Sequence, residues 1–95
     1  MNIRWLLGAL TDLDEIYTAI RADNPPAAEQ VLAEIRAAVR RLPEMPNLGR
    51  VGRWARTREL VLPPSYIVAY RLTDEAIEII AVHHAAREWP DEPAA

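Results

Sequence analysis

In the first half of the chain, apolar residues recur at three- and four-residue spacing. In the second half they gather into short runs separated by turn formers. Leu10, Leu13, Ile16, Tyr17 and Ile20 share one helical face, which predicts an amphipathic helix of about three turns. Thr11 stands where its N-cap belongs, with Asp12, Asp14 and Glu15 in a first turn where the helix dipole favours acids. Asp23-Asn24-Pro25-Pro26 ends this helix and starts the next, with Asn24 as cap and Pro25 at the first helical position, where no N–H is needed. Ala28, Val31, Leu32, Ile35, Ala38, Val39 and Leu42 form the apolar face of the second helix, and Pro43 stops it. So short a connection makes the pair an antiparallel helical hairpin.

Asn2 to Leu6 reads as a short first strand, and Glu44 to Arg53 as a loop with Pro46, Gly49 and Gly52. The runs Leu60–Leu62, Tyr66–Leu72 and Ala76–Val82 are broken by Pro63-Pro64-Ser65 and by Thr73-Asp74-Glu75, the pattern of a three-stranded antiparallel meander. The expected fold class is α+β, in the order β-α-α-β-β-β, with the helical hairpin packed on a small antiparallel sheet. Alternation puts Tyr66, Val68, Tyr70 and Leu72 on one side and Ile67, Ala69 and Arg71 on the other. In the last strand it sets Ile77, Ile79 and Ala81 against Glu78, Ile80 and Val82, apolar on both sides as a central strand requires. The face away from the helices is expected to be concave and open, with arginines near its rim.

Ninety-five residues form one domain with a single small core. The tail from 90 to 95, with two prolines and two acids, is expected to fray. Met1 to Leu10 carry one basic residue and a short apolar patch running into Asp12 and Asp14, which reads as neither signal peptide nor membrane span. With no cysteine, the expected location is the cytoplasm and thiolate chemistry is excluded.

The net charge of −3 hides a segregation. Residues 45–73 hold Arg50, Arg53, Arg56, Arg58 and Arg71 against Glu59 alone, whereas residues 74–95 hold six acids against Arg87. Every basic residue apart from the two histidines is arginine. The compositional account is a GC-rich genome, which the many alanines support. The chemical account is that the middle segment presents planar, bidentate donors to carboxylates or phosphates, and the clustering favours it.

His83 and His84 are adjacent in a strand and point to opposite faces, so they do not chelate one ion; no metal site and no cofactor is expected. One of them is a candidate general acid or base; the competing account is packing at the strand end. Ser65, the only serine, lacks nucleophile-elbow glycines, and Gly49 and Gly52 lack the strand-before, helix-after context of a phosphate loop. Trp5, Trp54 and Trp89 read as core or lid aromatics, with exposed contact an equal reading for Trp54 between Arg53 and Arg56.

Six stretches occur in a telling order. They are W-x-x-x-A-L-x-D-L-D-E-I-Y from Trp5, D-N-P-x-A-A from Asp23, L-P-E-M-P-N-L-G-R from Leu42, T-R-E-L from Thr57, Y-I-V-A-Y-R from Tyr66 and V-H-H-A-A-R-E-W from Val82. Each is weak alone. Together, over about residues 3–90, the chain resembles the RelE/ParE toxins of type II toxin–antitoxin systems. The resemblance implies a small toxin neutralised by a cognate, ParD-like or similar antitoxin whose C-terminal segment folds along it.

RelE-like members cleave mRNA at the ribosome, whereas ParE-like members poison DNA gyrase without a known catalytic site. RelE-like nucleases usually carry an arginine after the first aromatic of the Y-x-V/L-x-Y strand; here that position is Ile67. T-R-E-L and H-x-A-R-x-W resemble the ParE-like branch, which is the expected one. The alternatives are a RelE-like nuclease, with Arg58, Arg71 and His84 as its catalytic groups, and a non-toxic orphan binding module. The residues expected at the target are Arg58, Arg71, His83, Arg87 and Trp89. Those expected at the antitoxin are Leu13, Ile16, Tyr17, Ile20, Arg50, Arg53, Trp54 and Arg56. Partners are the antitoxin and gyrase, or else ribosome and mRNA, with no membrane.

Overall fold

The three apolar runs of the second half form the centre of a five-stranded sheet. The computed structural model describes residues 1–63 and 65–92. Pro64, within the expected hairpin break, and residues 93–95, within the expected tail, lie outside the described residues. The order is β1 (Asn2–Trp5), α1 (Leu7–Asp23), α2 (Pro25–Arg40), β2 (Arg50–Val51), β3 (Arg58–Leu62), β4 (Tyr66–Leu72) and β5 (Ala76–His84). Across the sheet the strands run β1-β5-β4-β3-β2. The meander is antiparallel as expected, and β1 joins it parallel to β5, Asn2 opposite Ala76 and Trp5 opposite Ile79, so the whole sheet is mixed. The stretch expected as a loop from Glu44 to Arg53 contributes β2, which pairs Arg50 with Glu59 and Val51 with Arg58.

The helix α1 begins a full turn before Thr11, and Leu6, without a side-chain cap, takes the N-cap place. The backbone sets this start. Leu6 N–H still pairs with Ile79 C=O as the last link of β1 to β5, and Leu6 C=O already accepts from Leu10 N–H. Thr11, Asp12, Asp14 and Glu15 therefore sit inside the helix rather than at its positive end. Asn24 serves both helices: its N–H closes α1 on Ile20 C=O and its side-chain oxygen accepts from Ala27 N–H at 3.1 Å, with Pro25 following.

Between the helices and the sheet lies a core of Ala9, Leu13, Ile35, Val39, Leu42, Leu60, Val68, Tyr70, Ile77, Ile79 and Val82. Its one polar group is the Tyr70 hydroxyl, which accepts from Gly49 N–H at 2.9 Å and donates to Pro46 C=O at 2.8 Å. This pins the loop before β2. A Cβ on Gly49 would stand 2.7 Å from the Tyr70 ring, so only glycine lets backbone and phenol approach this closely. Burial raises the Tyr70 pKa, against lowering by the Gly49 N–H and Arg58.

The alternation expected for β5 fails halfway. Ala69 pairs with Ala81 but Tyr70 with Ile79, so Ile80 is an extra residue, a β-bulge. Beyond it the strand changes phase: Val82 joins the helix-side core, while Ile80 and Ala81 turn to the other face with Trp54 and Ala69. Ala81 and Val82 are therefore on the faces opposite to those expected. The face away from the helices, the outer face, is also not left open. Trp54, 7% exposed, lies on it, with Leu6 and Trp89 beside it.

Candidate functional site

The phase change decides what surrounds each histidine. His83 faces outward among the tryptophans, its ring 4.7 Å from Trp89 and 6.2 Å from Trp54. Its Nε2 is buried without a hydrogen-bond partner among the described residues and stands 4.0 Å from an Asp12 carboxylate oxygen. His84 turns to the helix side, edge-on to Tyr66 at 5.5 Å, and its Nδ1 accepts from Ala86 N–H. The two rings do lie on opposite faces.

Beside His84 opens a groove of about 420 Å³ between α1 and the last third of β5. It exists because β1 stops pairing at Ile79, leaving the β5 edge uncovered from there on. Asp12 fills one place on that edge, accepting from Val82 N–H at 3.0 Å. Half-buried Ile16 and Ile20 supply the apolar wall. Acids on α1 (Asp12, Glu15 and Asp23) face His84 and Arg87 at the strand end. Tyr17, on the same helix, donates to Glu29 of α2 at 2.5 Å; that bond, first among the causes, raises the Tyr17 pKa.

On the outer face two glutamates each hold two arginines. Glu59, 3% exposed, accepts from Arg50 Nη2 and from Arg53 Nε, both at 2.9 Å, and from Arg53 N–H at 3.0 Å. Glu78, 8% exposed, accepts from Arg71 Nε at 2.6 Å and Arg4 Nη1 at 3.3 Å. Burial pushes the Glu59 carboxyl up, but the bonds from Arg53 and Arg50 together outweigh it and hold its pKa below the usual value. For Glu78 the Arg71 hydrogen bond leads and the net direction is also down. Arg53 lies over the Trp89 ring, 3.7 Å from its centroid, and Trp89 meets Trp54 edge-on at 5.2 Å. Glu92, in the tail expected to fray, accepts from Ala55 N–H.

A third feature lies where β2, β3 and β4 reach their common end. Arg56, Arg58 and Arg71 line a pocket of about 330 Å³ there, with Asn47, Val51 and Leu72. The loop before β3 is pinched: Gly52 N–H donates to Thr57 C=O, and Thr57 donates to Trp54 C=O. A Cβ on Gly52 would stand 2.3 Å from the Thr57 hydroxyl. Inside this pinch Arg56 takes φ of 56°, a left-handed backbone that costs a non-glycine residue roughly 1–2 kcal/mol. Trp54 is thereby turned inward and Arg56 outward.

The residues expected at the antitoxin thus separate. Ile16 and Ile20 line the groove, whereas Leu13 and Trp54, each 7% exposed, are packed in the two cores of the chain. Arg50 and Arg53 are held by Glu59, and Arg56 lies elsewhere, with Arg58 and Arg71. Of the residues expected at the target, Arg58 and Arg71 come together, Arg87 stands in the groove, and His83 and Trp89 pack on the outer face. The reading from sequence missed Asp12, Glu59 and Glu78 as organisers. Two signals were present: Glu59 is the one acid among the arginines of residues 45–73, and Glu78 is a lone charge inside an apolar strand.

A sequence profile described as "ParE toxin of type II toxin-antitoxin system, parDE" matches residues 3–89. Y4kP, a candidate toxin of Sinorhizobium fredii, is 49% identical over 90 residues, 94% of this chain and 93% of that protein. Toxin RelE2 of Caulobacter vibrioides is 36% identical over 86 residues, 90% of this chain and 97% of that one. A chain from the chromosomal ParDE toxin–antitoxin system of P. aeruginosa superposes with a TM-score of 0.81 at 25% identity, covering 90% of this chain and 96% of the other. Helical hairpin, mixed sheet and matched sequence agree: the chain belongs to the ParE/RelE toxin family of type II toxin–antitoxin systems.

Proposed function

We infer that this toxin is ParE-like: it inhibits DNA gyrase by binding, without a catalytic step of its own, and a cognate antitoxin neutralises it in the cytoplasm. The observation that carries this reading is the dispersal of the groups an RNA cut would need. General acid–base cleavage requires its acid and base within about 3 Å of the reacting atoms. Arg71 pairs opposite Glu78 and Tyr66 opposite His84, six positions apart along β5, which is roughly 20 Å at the rise of a strand. Arg71 and His84 also face opposite sides of the sheet. Ile67, where RelE-like nucleases carry arginine, is 4% exposed on the outer face.

The groove between α1 and β5 suits the antitoxin. Its α1 side is apolar at Ile16 and Ile20 and acidic at Asp12, Glu15 and Asp23, and the opposite side carries His84 and Arg87, so it fits an amphipathic segment with charges of opposite sign on its two flanks. Attraction to the arginine-rich segment is a weaker contribution than the sequence alone suggests, because Glu59 offsets Arg50 and Arg53 at contact distance.

The test uses purified components. Wild-type protein and a His83→Gln/His84→Gln variant are compared for inhibition of gyrase supercoiling and for cleavage of mRNA on programmed ribosomes. Equal gyrase inhibition by both, with no mRNA cut, is the expected result. An mRNA cut lost on His84→Gln would move the chain to the nuclease branch.

A further inference from the structure

We propose that the Arg56–Arg58–Arg71 pocket is the surface that grips the target protein, taking a carboxylate flanked by an apolar side chain. This rests on the gyrase reading above and assigns it a contact chemistry.

Charge is the first argument. Three arginines line the pocket and none of its lining residues among those described is acidic. The groove beside α1 mixes both signs, and so does a pocket where Glu59 stands with Arg41 and Arg50. Donor capacity is the second. A guanidinium carries five N–H donors in a planar fork that matches a carboxylate. Arg58 uses Nη1 on Gly49 C=O, and Arg71 uses Nε on Glu78. The Arg56 side chain makes no hydrogen bond or ion pair among the described residues, so most of the donors are available.

The rim decides the partner class. Val51 is 81% exposed and Leu72 is 39% exposed beside the arginines. A phosphate backbone gains nothing from these apolar groups, and the chain as a whole carries −3. An acidic protein segment with an apolar neighbour satisfies both. The pinched loop supports the same use, because it holds the unpaired Arg56 outward at a backbone cost and so reduces the ordering needed on binding.

Placement gives the proposal its sharpest consequence. Arg71 and Leu72 end β4, whereas the groove lies at its start, at Tyr66 and His84. A segment seated in the groove leaves this pocket uncovered, so substitutions in the pocket affect target binding separately from antitoxin binding.

The experiment measures the affinity of the full chain for purified gyrase and for purified antitoxin, in the wild type and in Arg56→Glu and Arg56→Lys, with circular dichroism confirming the fold. Charge reversal sets like charges together, so Arg56→Glu is expected to weaken gyrase binding by about tenfold or more, and by less as ionic strength rises. Arg56→Lys restores part of the binding, and antitoxin affinity stays within about twofold because the groove is untouched. Unchanged gyrase affinity in Arg56→Glu, or a loss confined to the antitoxin, overturns the proposal. So does duplex-DNA binding by the wild type that Arg56→Glu abolishes. If the wild type binds no gyrase, the gyrase reading fails by itself and the pocket is judged by titration with N-acetyl-Glu-Leu-amide. Shifts of the Arg56, Arg58 and Arg71 side-chain N–H resonances support the pocket; shifts elsewhere, or none, reject it.

Discussion

The outer face of the sheet and the groove between α1 and β5 lie on either side of one strand, yet they are finished in opposite ways. On the outer face Glu59 and Glu78 each have two arginines on them, Trp54 is buried, and Trp89 and Glu92 fold back over the loop before β3. In the groove Ile16 and Ile20 remain half-buried, and Asp12 closes only one place on an otherwise uncovered strand edge. The outer face around Glu59 and Trp54 is paired within the chain, and the residues there act chiefly on stability. The groove is unfinished, and on the reading proposed above its residues act chiefly on association.

Substitutions that break this contrast are ranked by size. Trp54→Ala should destabilise the isolated protein by about 3–5 kcal/mol, the usual loss for a buried tryptophan, measured by urea unfolding. Arg50→Ala with Arg53→Ala leaves the buried carboxylate with only the Arg53 backbone N–H and should cost about 3 kcal/mol, while either change alone leaves one charged partner and costs much less. An additive pair would show that Glu59 is not shared. Trp89→Ala should cost roughly 1–2 kcal/mol, because the ring is only partly buried and loses its contacts with Arg53 and Trp54. In the groove, Ile20→Asp should change unfolding stability by less than about 1 kcal/mol yet lower antitoxin affinity by at least about tenfold. A large stability loss there would erase the distinction between the two regions.

Acid sharpens the same comparison. The folded pKa values of Glu59 and Glu78 lie below the ordinary 4.5. Their pairs therefore contribute stability that is complete above that value and is lost as the pH falls through it toward the folded pKa. Urea midpoints should be level near neutrality and drop below about pH 4.5. With Glu59→Gln in a chain already lacking Arg50 and Arg53, that drop should be smaller.

The helix faces and the meander were legible because their periods are local properties of the chain. The Asn24-Pro25 junction was legible for the same reason. The start of α1 was not, since Thr11 followed by three acids imitates a cap while the true start is set by Leu6 pairing with Ile79, far away in sequence. The bulge was hidden because Ile79-Ile80-Ala81-Val82 is apolar throughout, and alternation carries no signal when both faces are buried. The arginine cluster was visible as a cluster. Its pairing was not, because the Glu59 partners reach it from a neighbouring strand and loop and Glu78 takes Arg4 from the far end of the chain. Fold class therefore followed from the sequence, while the division of arginines into engaged and available ones required tertiary structure.

The sharing of each glutamate by two arginines also constrains how this sequence can drift over generations. A lineage can lose Arg50 and keep the fold, because Arg53 still answers Glu59. It can then lose Glu59, which leaves only a half-exposed arginine facing water. The reverse order, both arginines before the glutamate, passes through an intermediate whose buried carboxylate keeps only the Arg53 backbone N–H and is costly to a marginally stable chain. The route between two viable sequences is therefore directional, and reconstructed intermediates along the costly order should be markedly less stable than those along the open order.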